Sequence, residues 1–252
     1  MAKDPVAKDN DEKDDIAASY LGLRRGLGLL GLCLPLVMLG VTFATKAIDL
    51  QPSISAYYYV PHLGQLMVGT LWAIGIFLIY YRGYPTIPRP FRRLPNWISR
   101  HLTDANLTTV AGAGALVTAI LPTCKTRNPC DIPVVAGLHL AGSVTFLGTL
   151  AVLSIWAFTE TNKSRTNPDP EKSRSNTVYR LCGWTILACL AACAVVLIGK
   201  IYAIGPLINP VVWLETIAIW AFATSWLVKG DAIQGLLSLL KKPKTPPYST
   251  DA

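Results

Sequence analysis

The sequence predicts an all-α fold, a polytopic membrane bundle of six transmembrane helices with both termini in the cytoplasm. Three observations predict it. Six mostly apolar stretches interrupt the chain, at 26–45, 64–81, 107–122, 132–158, 181–199 and 201–228. Each is near the roughly 20 residues that cross about 30 Å of hydrocarbon at about 1.5 Å per residue. Nineteen of the 23 Lys and Arg residues lie before the first stretch, after the last, or in alternate gaps between them. Lys and Arg are retained on the cytoplasmic side during insertion, and an even number of spans returns both ends to that side.

Residues 1–17 mix both signs of charge with almost nothing apolar and are expected to form a disordered cytoplasmic tail. Their acidity, and an apolar run longer than a signal's h-region, read as a retained first anchor and not a cleaved leader. Residues 18–230 form the membrane domain. The loop after span one carries Pro52, Tyr57, Tyr58, Tyr59 and Pro61. The prolines predict an ordered turn or re-entrant piece in place of a helix, with the three tyrosine rings at the headgroup layer. Span three is the shortest, but Asn106, Thr108 and Thr109 extend it without burying a charge. The loop after it holds Cys124 and Cys130 with five residues between them, on the side assigned to an oxidising compartment, so a disulfide is expected there. Cys33, Cys182, Cys189 and Cys193 fall inside spans and read as small packed hydrophobes. Residues 231–252 are expected to form a short interfacial helix on Ile233, Leu236, Leu237 and Leu240, then a disordered tail.

The spans contain one acid, Glu215, and one imidazole, His139. Ionisable groups in hydrocarbon are costly and face a protein interior, a cavity or each other. His139 lies seven residues beyond Ile132 and Glu215 five beyond Pro210. Spans four and six start on the same side, which sets the two at depths of roughly 10 Å and 8 Å. Ser143 lies one turn from His139, and Gly137, Gly142, Gly148 and the AGAGA run at 111–115 offer surfaces for close helix approach. With Ser53, Ser55, Tyr58 and His62 of the first loop, His139, Ser143 and Glu215 are expected to form an outward-opening ligand pocket. Its amphiphilic character suits a lipid headgroup or a lipid-linked molecule. A bland reading stands against it, in which Glu215 and His139 are hydrogen-bonded interior groups that fix their helices.

The net charge of +8 is a topology signal and a source of attraction to anionic headgroups, which turns the basic balance away from nucleic acid. Membrane lipids are the expected partners, with a second copy of the chain left open, and no cofactor, metal or catalytic residue is assigned. A metal-dependent lipid hydrolase or transferase needs three or four converging ligands, and the outer side offers few beyond His62, His139, Glu215, Asp49 and Asp131. Ser53 and Ser55 lack a nucleophile-elbow context. A small proton-coupled carrier or pore is a second alternative, although no half of the chain repeats the other.

The order of Pro52-Ser53-Ile54-Ser55 after span one, the Gly-and-aromatic second span, Leu138-His139-Leu140-Ala141-Gly142 in the fourth, and Trp213-Leu214-Glu215 with Ser225-Trp226 in the sixth resembles the Frag/DRAM/Sfk group of six-span proteins. The likeness covers about residues 20–230. It implies a role in membrane-lipid organisation or remodelling and places suspicion on Ser53, Ser55, His139 and Glu215.

Overall fold

Apolar runs of this length become helices because a medium without water leaves each backbone N–H and C=O to be paired within its own segment. The computed structural model describes residues 5–45, 47–83, 89–125, 130–159, 170–199 and 209–230. Among them the fold is helical: α1 (Pro5–Thr45), α2 (Leu63–Tyr80), the short α3 (Asn96–Ser99), α4 (Asp104–Ile120), α5 (Pro133–Val152), α6 (Pro170–Ile198) and α7 (Pro210–Lys229). A π-turn, Leu153–Ala157, extends α5, and a 3-10 helix, Ser55–Tyr59, lies between α1 and α2. Five of the helices are long and apolar enough to cross a membrane, so the chain is a multi-pass membrane protein by length and composition. The shortest predicted span is α4, with 17 residues, about 25 Å at 1.5 Å per residue.

Local sequence explains the ends. Pro133 and Pro210 stand in the first turns of α5 and α7, where a missing N–H costs nothing. Thr103 caps α4 by accepting the Asn106 N–H at 3.4 Å. Helix in α1 begins at Pro5 among the described residues; once the apolar segment supplies a nucleus, each added residue gains a hydrogen bond at little cost. The first part of the predicted sixth span, 201–208, and the predicted interfacial helix in 231–252 lie outside the described residues.

The six long helices form a closed ring in chain order, α1–α2–α4–α5–α6–α7, with α7 packing back on α1. Neighbours run alternately up and down, so the ring has two distinct ends. One carries Arg24 and Arg25, whose side chains reach the carbonyls of Lys229 and Gly230 at 3.5 and 2.8 Å and cap α7. The other carries the first loop, the segment joining α4 to α5, and the start of α7. We call them the arginine end and the disulfide end.

Two glycine contacts set the spacing within the ring. A Cβ on Gly112 of α4 would lie 2.6 Å from the Gly75 carbonyl oxygen of α2, and one on Gly114 would lie 2.8 Å from the Gly142 carbonyl oxygen of α5. Gly137 and Gly148 do not share this role: a Cβ at either meets no neighbouring segment within 4 Å. Inside, edge-to-face aromatic contacts join the helices towards the arginine end, with Trp226 of α7 5.1 Å from Tyr81 and 5.3 Å from Phe158. Ser154 in the π-turn donates to Ser225 of α7 at 3.1 Å. Leu29, Leu36 and Phe43 of α1, and Leu181, Trp184, Val195 and Ile198 of α6, face outwards. The burial of Cys182 and Cys189 agrees with their reading as small packed hydrophobes.

Candidate functional site

The last carbonyls of a helix have no partner within it. Leu121 closes α4, and its carbonyl is met by Nδ1 of His139 at 2.6 Å. A carbonyl only accepts, so the hydrogen is assigned to Nδ1, and in the uncharged ring Nε2 is then a bare acceptor. His139 is buried at 5 % exposure, and its Nε2 has no hydrogen-bond partner among the described residues. One turn on, Ser143 donates to the His139 carbonyl at 3.0 Å and lies 3.2 Å from the Thr118 hydroxyl, which donates to the Gly114 carbonyl at 2.8 Å. A polar seam thus runs between α4 and α5 at the disulfide end.

The first loop is stitched down from three directions. Oε2 of Glu215 accepts the Ile54 N–H at 2.6 Å, joining the start of the 3-10 helix to α7. Ser53 Oγ accepts the Ala56 N–H at 3.0 Å, an internal cap. The Tyr57 hydroxyl lies 2.8 Å from that of Thr42 in α1, and the Tyr59 hydroxyl donates to the Thr123 carbonyl at 2.7 Å. The tyrosine run therefore does not act as one interfacial group: Tyr57 is wholly buried, whereas Tyr58 and Tyr59 are half-buried and meet edge to face at 5.2 Å. The loop ends at His62 with φ of 63°, a left-handed conformation that is uncommon outside glycine.

These pieces enclose a cleft of about 320 Å³. Ser53, Ser55, His139, Ser143 and Glu215 all line it, so the structure brings together five of the seven residues singled out from sequence. Tyr58 and His62 are not among its walls. Leu140, Leu197 and Val211 supply apolar surface, and Cys124 and Cys130 close one side. The two cysteines are joined in a disulfide with Cα atoms 5.5 Å apart, as expected. Asp131 accepts the Lys125 N–H at 3.0 Å in the same loop. Cys124, Cys130 and Asp131 place three potential metal donors together, but sulfurs bonded to each other are not thiolate ligands. No described hydrogen bond joins Nε2 of His139 to a hydroxyl, and Ser53 Oγ is engaged as a backbone cap. The cleft sets polar side chains beside an apolar wall.

Sequence reasoning passes over two buried charged residues at the arginine end. Asp104 is 2 % exposed at the start of α4, and Lys229 is 8 % exposed, its ammonium 4.9 Å from the Phe158 ring centroid. Both lie just outside the apolar runs. Thr103 followed by Asp104 and Asn106 is a helix-start pattern that could have drawn Asp104 into α4.

Burial first, then the Asp131 carboxylate and Tyr58, raise the Tyr59 phenol above its ordinary pKa of 10.0. Because the folded value lies above the unfolded one, its contribution to stability is whole below about pH 10 and is lost as pH climbs through the raised value. An alkaline titration followed by tyrosinate absorbance should show, as the difference between wild type and Tyr59→Phe, a phenol that ionises above pH 10. A difference centred at or below that point would contradict the placement of Tyr59.

No family model, curated protein or solved structure matches the chain.

Proposed function

We propose that this chain is a six-span integral membrane protein with both termini in the cytoplasm, whose outward cleft engages a lipid or lipid-linked molecule in membrane-lipid organisation or remodelling. The observation that carries the reading is the meeting of His139 and Glu215, the ionisable residues of the predicted spans, with Ser53, Ser55 and Ser143 in one cleft that also has apolar walls. A site of a few placed polar groups within apolar surface suits an amphiphile. Its position at one end of a ring whose sides present Leu36, Phe43, Trp184 and Val195 suits entry from lipid. The sidedness has support as well. Arg24, Arg25 and Lys229 lie at the end opposite the disulfide, as cytoplasmic retention of cations and an oxidising far side both require. Counting α4 as a span rests on its place in the ring between α2 and α5. The resemblance to the Frag/DRAM/Sfk group points the same way.

Gly137 offers a clean test, since it lines the cleft and a Cβ there meets nothing within 4 Å. Gly137→Leu should fill the cleft without disturbing the ring, and helix propensity alone favours the change by about 1 kcal/mol. Native mass spectrometry of gently extracted protein should show lipid retained by wild type and reduced at least about fivefold in the variant, with an unchanged or higher thermal midpoint. Equal lipid retention by the two would remove the cleft from lipid binding.

A further inference from the structure

Given a lipid-binding role for the cleft, on which the choice of ligand class rests, the deciding feature is the imidazole. Leu121 at 2.6 Å fixes the hydrogen on Nδ1, which leaves Nε2 a neutral acceptor. That nitrogen has less than 1 Å² exposed and no partner among the described residues. A buried acceptor without a donor is a penalty that a ligand can remove by supplying one. Ser55 and Ser143, in the same walls, carry hydroxyls, which can donate or accept. Glu215 is already engaged by the Ile54 N–H and anchors the loop. Apolar surface from Leu140, Leu197 and Val211 runs beside these groups.

We infer that the cleft selects an uncharged, hydroxyl-bearing lipid headgroup, of the diacylglycerol or long-chain alcohol class, whose O–H donates to Nε2 of His139. The acyl part lies along the apolar wall. A hydroxyl then accepts from or donates to Ser55 and Ser143, matching groups of the same kind, whereas a phosphocholine headgroup brings no donor at all. Because Nε2 is covered, the O–H reaches it when a side chain of the wall turns aside.

The test separates the two nitrogens of the ring. Asparagine places an amide N–H where Nδ1 stands, so His139→Asn can keep the bond to the Leu121 carbonyl while removing Nε2, and its Oδ1 falls short of the place Nε2 held. Purified full-length protein in phosphatidylcholine nanodiscs is titrated with a diacylglycerol, with the same molecule methylated on its free hydroxyl, and with free glycerol. Wild type should bind the alcohol about tenfold more tightly than the ether, the size of one satisfied buried hydrogen bond. His139→Asn should bind both at the level of the ether, with its thermal midpoint unchanged. Equal binding of alcohol and ether by wild type would overturn this inference while leaving the lipid cleft standing. Binding of neither, by folded protein, would overturn the lipid reading as well. Displacement of the diacylglycerol by glycerol at comparable concentration would place the hydroxyl in water and overturn the lipid class. A primary-amine lipid of the same chain length that binds more tightly than the alcohol would give command to Glu215, and likewise overturn it.

Discussion

Gly112→Val should part α2 from α4 and leave little monodisperse protein after extraction. The added Cβ would stand 2.6 Å from the Gly75 carbonyl oxygen, 2.8 Å from Ile79 Cγ1 and 3.1 Å from the Ile79 backbone nitrogen. Two of those three atoms are backbone, which yields only if a whole helix moves. Gly75 differs, because a Cβ there meets the Leu116 side chain first, at 2.8 Å, and the Gly112 carbonyl at 3.1 Å. Leucine can turn away. Overpacking of this kind typically costs about 1–3 kcal/mol, so Gly112→Ala should fall in that range, Gly112→Val beyond it, and Gly75→Ala near its lower edge. The cost is not recovered elsewhere, since lipid tails compete with any apolar contact and close approach through small residues is a main source of helix association. Gly137→Ala serves as control, as it meets nothing within 4 Å. A Gly112→Val protein with the yield and thermal midpoint of wild type would show that the two helices do not meet through these carbonyls.

The helices are legible because their signal is one-dimensional: a run of apolar residues long enough to cross hydrocarbon declares itself wherever it occurs. Their faces are not. Gly112 and Gly142 are contact points, as their small size suggests, but Gly148, which invites the same reading, opens onto space, and only the rotation of α5 against α4 separates them. The tyrosine run shows the same limit. Three identical residues in a 3-10 turn point in three directions about 120° apart, and partners distant in sequence decide their fates: Thr42 for Tyr57, Thr123 for Tyr59. Within the site, rarity identifies His139 and Glu215, since an ionisable side chain in an apolar run is conspicuous. Their partners are hidden. Both bond to backbone, at Leu121 and Ile54, and a backbone group has no signature in sequence. The alternatives of ligand contact and structural bond therefore prove not to exclude each other, because each side chain lines the cleft while one of its atoms holds a neighbouring segment in place.

Glu215→Ala should release the first loop. Its Oε2 takes the N–H that opens the 3-10 helix, at 2.6 Å and across 161 residues of sequence, and hydrogen bonds to charged groups contribute about 1.5–3 kcal/mol. The loss should be local. Tyr57 and Tyr59 still tie the far part of the loop to Thr42 and Thr123, so the ring should keep its helix content while amides of residues 54–56 exchange markedly faster with solvent. Glu215→Gln separates the bond from the charge: its carbonyl oxygen can accept the same N–H, and protection should return to within about 1 kcal/mol of wild type. On the proposed lipid-binding reading, lipid retention is expected to follow the loop, since Ser53 and Ser55 form a wall of the cleft and lose their position when Ile54 is freed. Retention should therefore fall in Glu215→Ala and recover in Glu215→Gln. Hydrogen exchange that leaves residues 54–56 as protected in Glu215→Ala as in wild type would show that the carboxylate does not hold this loop, and the cleft would lose the contact that shapes it.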